Sequence, residues 1–250
     1  MDVDITTQFE KQGYVILRSL ADKKLVKAIK NEAIASLDPL LGPAEFEADV
    51  QYPGAPDDRK SLGGNTPRRL LHACGRSKTY RDWATGTVLK QHLTQFLKTD
   101  QVMLSQSHHN CMMTKFPGYS SMTSWHQDNR YWSFDQPDLV SVWLALGSES
   151  PKNGGLMVIP KTHKQLIKRG RLDRNLFLRT DLKENKTLIN SAISVELNAG
   201  DVLFFHSQAF HAAGQNQSEQ VKTSLVFTYH AADNLPIPGT RSASYPSLPL

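Results

Sequence analysis

The sequence predicts a mainly β protein, a jelly roll or related barrel with N-terminal helices packed against it. Two observations favour this fold class. Short apolar segments separated by turn signals fill the chain from about residue 101 onward, whereas helical patterns are confined to the first hundred residues. Such segregation is typical of a sheet core faced by helices. The 250 residues fit one large β domain, and no internal repeat divides them.

The helical patterns begin at the N-terminus. A short polar helix ends at Gly13, and the apolar residues of Tyr14–Leu17 indicate a buried strand. Asp22 is a typical helix N-cap, and the apolar residues that follow it recur at helical spacing. A further helix is predicted over residues 80–97, where apolar residues again form one face.

The remaining segments complete the predicted domain. Residues 43–68 are rich in proline and glycine, which favours a flexible cover over the core. Strands are predicted at 102–106, 110–115, 139–146, 156–159, 192–197, 202–206 and 221–230. The single domain therefore divides into a helical and cover region over 1–100, a β core over 101–232, and an irregular tail rich in Pro and Ser over 233–250.

Composition excludes several classes of protein. The chain is 39% hydrophobic and 21% charged, which is ordinary for a globular protein. No segment approaches the roughly 18–20 apolar residues of a membrane helix, and the acidic, polar N-terminus is unlike a secretory signal. Cys74 and Cys111 are too few for a disulfide framework. We expect a cytoplasmic protein with no membrane partner.

The net charge of +5 is concentrated in two basic stretches, residues 161–183 and residues 68–81. Such stretches attract nucleic acid or anionic substrates, although a solvated surface is the other interpretation of both. Neither has the interleaved aromatic residues that bind single-stranded nucleic acid, so we expect no nucleic-acid partner. Because the stretch 161–183 lies between predicted strands, where insertions often border a pocket, it suggests a small, anionic substrate.

His126 and Asp128 form the first candidate metal site, within Trp125-His-Gln-Asp128. Alternate residues of a strand point to the same face, so this imidazole and this carboxylate can reach one ion. Two histidines and one carboxylate leave three open positions on an ion, the arrangement of non-haem Fe(II) oxygenases. A His-x-Asp pair by itself is common by chance, and a salt-linked surface pair is the alternative interpretation.

A second histidine must complete such a site, and two candidates follow about eighty residues later. His206 ends the segment Gly200-Asp-Val-Leu-Phe-Phe-His206, and His211 begins the segment His211-Ala-Ala-Gly-Gln-Asn216. Five residues apart in an extended strand, the two side chains would face opposite sides, so both cannot bind one ion without a bulge. Strand geometry alone leaves the choice open.

These segments resemble the phytanoyl-CoA dioxygenase family of Fe(II)/2-oxoglutarate oxygenases. The resemblance also includes Lys115-Phe-Pro-Gly118 and Asn153-Gly-Gly-Leu-Met-Val-Ile-Pro160. It implies a double-stranded β-helix, the jelly roll that is also found in cupins. It further implies an enzyme that uses Fe(II), 2-oxoglutarate and O2 to hydroxylate a small molecule, with release of succinate and CO2.

The resemblance implies a metal site and a co-substrate site. It places Fe(II) on His126, Asp128 and His211, the catalytic centre, and so prefers His211 to His206. The distal carboxylate of 2-oxoglutarate is expected to meet a cation eleven residues after His211, where this chain has Lys222 and the family usually has arginine. The other co-substrate residues that the resemblance suggests are Ser224, Gln127 and Trp143.

Two other functions are compatible with the same residues. One is a cupin-like metalloenzyme that does not use 2-oxoglutarate, and the other is a non-catalytic member of the fold that binds a ligand. Lys222 likewise has a second interpretation, because an exposed lysine on an edge strand protects a sheet against aggregation. The sequence does not specify an oligomeric state.

Overall fold

The computed structural model describes residues 4–50 and 52–250. Within these ranges the α-helices are α1 (Ile5–Gln12), α2 (Lys23–Ala35), α3 (Ala73–Arg76), α4 (Lys78–Ala84), α5 (Thr87–Leu97) and α6 (Lys183–Ile189). The strands are β1 (Tyr14–Leu17), β2 (Ala44–Phe46), β3 (Pro67–Leu71), β4 (Val102–Lys115), β5 (Thr123–His126), β6 (Leu139–Ala145), β7 (Leu156–Val158), β8 (Ile193–Ser194), β9 (Val202–His206), β10 (His211–Ala213), β11 (Lys222–Ala231) and β12 (Leu248–Pro249).

These strands form two antiparallel sheets. The larger has the order β1-β9-β6-β11-β4-β3-β2 with β12 paired to β4, and the smaller has the order β5-β10-β7-β8. A hydrophobic cluster joins their inner faces, where Trp143, Phe205 and Val226 of the larger sheet meet Leu156 and Val158 of the smaller sheet. Two facing sheets with this strand order make a jelly roll, which confirms the predicted double-stranded β-helix.

The N-terminal helices cover the outer face of the larger sheet. Ile29 of α2 and Leu93 of α5 belong to one buried cluster with Val142, Phe204 and Phe227 of the sheet. Successive strand residues point to opposite faces, so these strands are apolar on both sides. The helices therefore fix one face of the sheet and leave the other face to the cavity described below.

The start of the chain folds as its local sequence predicts. Gly13 ends α1 with a left-handed φ of 81°, a conformation in which a glycine has no steric penalty. The Asp22 side chain accepts a hydrogen bond from the Leu25 N–H at 2.8 Å and so caps α2. The predicted short helix, strand and capped helix are confirmed.

The predicted helix over 80–97 is two helices, α4 and α5. Gly86 is the N-cap of α5, and a Cβ at this position would lie 2.8 Å from the Asp82 carbonyl oxygen. The chain therefore turns at a residue without a side chain, and the apolar face that the sequence shows belongs to two helices. The two predicted strands 102–106 and 110–115 are, conversely, the single strand β4, whose pairing with β11 shifts register between Ser105 and Asn110.

The cover and tail regions contribute more strand than predicted. The segment 43–68 includes β2 and the first residues of β3, which extend the larger sheet, and β12 of the tail pairs with β4. Over the predicted strand 192–197, by contrast, only Ile193–Ser194 is extended in a sheet. None of the helices in the described ranges is both long and apolar enough to cross a bilayer.

Candidate active site

Strand pairing brings the three candidate metal ligands together. His126 ends β5, His211 begins β10, and the two residues are direct partners in the β5–β10 ladder, with ring centroids 4.2 Å apart. The Asp128 carboxylate oxygen Oδ1 lies 3.7 Å from His126 Nε2 and 3.6 Å from His211 Nε2. One ligand atom from each residue lies within 4.8 Å of the others, so one ion can contact all three.

The local geometry at Asp128 differs from the predicted one. Of His126, Gln127 and Asp128, only His126 belongs to strand β5. Gln127 lies between the strand and a 3-10 helix, Asp128–Tyr131, which Asp128 begins. The alternation of strand residues therefore does not explain the site. The carboxylate reaches the imidazoles because the chain turns directly after β5.

Both imidazoles present the nitrogen that a metal requires. The Nδ1 atoms of His126 and His211 lie 2.8 Å from the Ser124 carbonyl oxygen and 3.0 Å from the Ala209 carbonyl oxygen. A carbonyl only accepts hydrogen bonds, so Nδ1 carries the proton and Nε2 offers its lone pair toward Asp128. Burial, with a smaller contribution from His211, holds the pKa of His126 well below its ordinary value and keeps this ring neutral.

The nearest side chains to the buried Asp128 carboxylate are three histidines and a serine. Burial raises the pKa of its carboxyl above the ordinary value, and His211 and Arg69 offset only part of this rise. Its second oxygen, Oδ2, accepts a hydrogen bond from Ser141 Oγ at 3.3 Å and lies 3.7 Å from His109 Nδ1. A buried carboxylate flanked by imidazole side chains fits a divalent cation, which would supply positive charge at this buried position.

His206, the alternative distal ligand, lies elsewhere. It ends β9 in the larger sheet, and its Nε2 is 3.2 Å from Asp138 Oδ1. Its ring packs near the rings of Phe9 and His163, at centroid distances of 6.4 and 5.4 Å. The structure groups His211, and not His206, with His126 and Asp128.

A cavity of about 210 Å³ opens above the three residues. Trp143 and Lys222 of the predicted co-substrate site line it, and Lys222 is buried with its Nζ 4.9 Å from the centre of the Trp143 ring. Among the residues that the structure describes, Ser224 and Gln127 lie outside the cavity wall. Ser224 is fully buried beside Lys222, and the Gln127 side chain donates to the Gln208 carbonyl at 2.5 Å.

Lys222 is paired with an acidic residue that sequence reasoning missed. Its Nζ lies 3.2 Å from Glu149 Oε2, and the Glu149 side chain is 1% exposed. Glu149 lies between β6 and β7, outside both strands, and a single glutamate in such a segment carries no recognisable pattern. Lys222 itself is on the central strand β11, so the edge-strand interpretation of this residue is wrong.

Arginines line the other side of the cavity. Arg68, Arg69 and Arg241 all contribute to the wall. Arg68 is engaged by Glu45, with a 2.9 Å hydrogen bond. Arg69 lies 3.5 Å from the same Glu45 carboxylate without hydrogen-bond geometry, and its buried Nε has no hydrogen-bond partner among the described residues. Arg68 and Arg69 belong to the basic stretch 68–81, which the sequence had indicated as a possible site for anions.

The basic stretch 161–183 was expected to border the pocket with its positive charges, and the structure does not place them there. Within the described part of the chain, none of the lysines and arginines of 161–183 lines the cavity. Arg171 hydrogen-bonds Asn185, and Arg179 pairs with Asp181. The segment approaches His126 through Phe177 instead, and the two rings lie 5.9 Å apart in an edge-to-face arrangement.

Comparison with known proteins identifies relatives of this chain. The family model described as Phytanoyl-CoA dioxygenase (PhyH) matches residues 9–224. The human protein "Phytanoyl-CoA dioxygenase, peroxisomal" is 30% identical over 136 residues, which cover 50% of this chain and 39% of that protein. The "Methylphosphonate hydroxylase" of Gimesia maris is 29% identical over 121 residues, covering 47% and 42%. The matched segments thus span less than half the length of these curated relatives.

Solved structures share the fold at low sequence identity. The structure of EctD from S. alaskensis with 2-oxoglutarate and 5-hydroxyectoine has a TM-score of 0.77 and 18% identity, covering 96% of this chain and 80% of that one. The epimerase SnoN in complex with Fe3+, alpha ketoglutarate and nogalamycin RO has a TM-score of 0.73 and 17% identity, covering 94% and 85%.

Proposed function

The chain belongs to the phytanoyl-CoA dioxygenase family, and we propose that it is an Fe(II)- and 2-oxoglutarate-dependent dioxygenase that hydroxylates a small, anionic organic substrate. The observation that carries this proposal is the His126–Asp128–His211 group at the wall of a cavity that also holds cationic side chains. Two imidazole nitrogens and one carboxylate suit Fe(II) and leave coordination positions for a 2-oxo acid and O2. The structures of EctD and SnoN named above contain 2-oxoglutarate or alpha ketoglutarate, which supports the same co-substrate here.

The residues of this chain have distinct roles in the proposed reaction. His126, Asp128 and His211 would hold Fe(II), whose chemistry is oxidative decarboxylation of 2-oxoglutarate to succinate and CO2 with oxidation of a substrate C–H bond. Ser141 donates to the second oxygen of Asp128 and so orients the carboxylate. Lys222 would face the distal carboxylate of 2-oxoglutarate, in the wall of the same cavity.

The size of the cavity supports a small substrate. Its volume of about 210 Å³ is below the roughly 300–1,000 Å³ of pockets that hold drug-sized ligands. A 2-oxo acid must share this space with the molecule to be oxidised. A compact substrate is therefore the best fit.

Arg69 supports a substrate with a carboxylate, phosphonate or similar anionic group. Its guanidinium lies close enough to the metal ligands for its charge to lower the pKa of Asp128. Burial disfavours its charge, but the negative charge of Glu45 and smaller contributions from Cys111, Tyr52 and Asp128 together keep the pKa of Arg69 above its ordinary value, so the side chain is a permanent cation. Because Arg69 lines the cavity and its Nε makes no hydrogen bond to the described residues, the guanidinium has free donor capacity for an incoming anion. A relative named for methylphosphonate fits this substrate class.

Succinate formation is the direct test of the proposal. The protein would be incubated with Fe(II), 2-oxoglutarate, O2 and a panel of small carboxylates and phosphonates, and succinate and oxidised product would be quantified together. We expect equal amounts of both with at least one compound. Anaerobic Fe(II) with 2-oxoglutarate should also give a weak visible charge-transfer band. Absence of both signals would favour a metalloenzyme without 2-oxoglutarate, or a non-catalytic binding protein.

A further inference from the structure

Glu149 is a buried carboxylate surrounded by three donors. Its Oε1 accepts a hydrogen bond from Ser224 Oγ at 2.6 Å, and its Oε2 lies 3.2 Å from Lys222 Nζ. Trp143 Nε1 donates to both oxygens, at 3.1 and 3.2 Å. Three of the four residues predicted to contact 2-oxoglutarate therefore already contact a carboxylate of the protein itself.

The backbone holds Glu149 in this position. Its N–H donates to the Leu197 carbonyl at 2.8 Å, and its carbonyl accepts from the Leu197 N–H at 3.0 Å. These two bonds tie the segment after β6 to Leu197, three residues after the end of β8. The carboxylate is thus fixed beside Lys222 by the fold and is not the end of a mobile surface side chain.

Lys222 retains limited capacity for a second carboxylate. An ammonium group has three N–H donors, and the contacts to Glu149 and Ser224 engage two of them. A second carboxylate would receive the third donor but would lie close to the negative charge of Glu149. Like charges that share a buried site repel each other strongly. A dicarboxylate that binds at Lys222 must therefore compete with the existing Lys222–Glu149 ion pair.

We infer that Glu149 is a specificity-determining residue for the 2-oxo acid. It competes with the distal carboxylate of 2-oxoglutarate for Lys222, and so weakens the preference for 2-oxoglutarate over 2-oxo acids that lack a second carboxylate. This inference rests on the proposed function, because it requires the 2-oxo acid end to bind at the His126–Asp128–His211 group. Nothing in it depends on the identity of the oxidised substrate.

The test compares two 2-oxo acids of equal chain length. The affinities of 2-oxoglutarate and 2-oxopentanoate would be measured by anaerobic calorimetry on the Fe(II) protein, for the parent and for Glu149→Gln. Glutamine keeps the size of the side chain and removes its charge. We expect 2-oxoglutarate to bind at least about tenfold more tightly to the variant, which corresponds to about 1.4 kcal/mol, while the affinity for 2-oxopentanoate stays the same. Glu196→Gln, at an exposed position, is the matched control.

The possible outcomes distinguish a failure of the Glu149 role from a failure of the proposed dioxygenase function. Unchanged or weaker binding of 2-oxoglutarate to Glu149→Gln, or equal tightening of both acids, would overturn the role of Glu149 while leaving the dioxygenase proposal in place. If neither the parent nor any variant binds 2-oxoglutarate, the proposed function fails and this inference fails with it. Thermal melting would establish that the variant is folded, and Glu149→Met would replace it if glutamine prevents folding.

Discussion

Lys115 and Lys222 lie directly opposite each other on the β4–β11 ladder, so two amino groups share one face of the larger sheet. Their partners differ. Lys222 meets the Glu149 carboxylate, whereas Lys115 donates to the carbonyls of Ser121 at 2.8 Å and Gly214 at 2.6 Å. Burial first, and then the charge of Lys222, lower the pKa of Lys115 to about 7. Near neutral pH the pair therefore carries less than two full charges.

This low pKa predicts a pH-dependent stability. Unfolded Lys115 has an ordinary pKa of 10.5, so between pH 7 and 10.5 the unfolded state binds more protons than the folded state. The free energy of unfolding should rise as pH rises through this window, by at most about 1.4 kcal/mol per pH unit. Urea unfolding at several pH values measures the slope. Lys115→Met should flatten it, and Lys27→Met, at an exposed site, should not. The same slope in all three proteins would contradict the shift.

Metal binding should depend on His211 and not on His206. Asp128→Ala and His211→Ala each remove one of the three proposed ligands, so we expect loss of stoichiometric Fe(II) binding and of 2-oxoglutarate turnover. His206→Ala is the matched control, because this imidazole pairs with Asp138 at a separate place in the fold. Anaerobic titration followed by metal analysis measures the stoichiometry. Full iron binding and activity in Asp128→Ala would show that the ligand assignment is wrong.

Lys222 should contribute separately to stability and to co-substrate binding. Lys222→Ala leaves the Glu149 carboxylate buried without its ion-pair partner, which costs about 3–5 kcal/mol in comparable sites. The double variant Lys222→Ala with Glu149→Gln removes both charges and should recover much of this stability, but not the affinity for 2-oxoglutarate. Chemical unfolding and anaerobic calorimetry measure the two effects.

Lys222→Arg tests the same site with a different cation. Arginine retains the positive charge and adds a planar pair of donors suited to a carboxylate, so 2-oxoglutarate affinity should be preserved or increased. Unchanged affinity for 2-oxoglutarate in Lys222→Ala would instead exclude the lysine as an anchor.

Predictions from the sequence were most accurate for features that depend on residues close together in the chain. His126 and Asp128 are two residues apart, and the capped helix α2 is specified by Asp22 and the residues after it. The break at Gly86 was missed because the apolar pattern of α4 continues into α5. Local periodicity does not report where a helix changes direction.

The positions of the cavity residues that were not predicted, Arg69 and Glu149, depend on contacts with distant parts of the chain. Arg69 reaches the cavity because β3 pairs with β4, which places Arg69 opposite Met113. Glu149 is held by Leu197 and meets donors from β6 and β11. No spacing within the sequence relates these residues. The sequence shows their charges, but their positions around the cavity depend on the fold.

Arg69 should determine the affinity for an anionic substrate. Arg69→Gln removes a cavity cation while retaining hydrogen-bonding groups, and a hydrogen bond to a charged group contributes about 1.5–3 kcal/mol, or roughly 10- to 150-fold in affinity. We expect a rise of this size in the KM of the substrate identified by succinate release, with unchanged 2-oxoglutarate affinity. The double variant Lys168→Gln with Arg169→Gln is the control from the basic stretch that lies away from the cavity wall. An effect in the control equal to that of Arg69→Gln would mean that long-range charge, and not a contact inside the cavity, attracts the substrate.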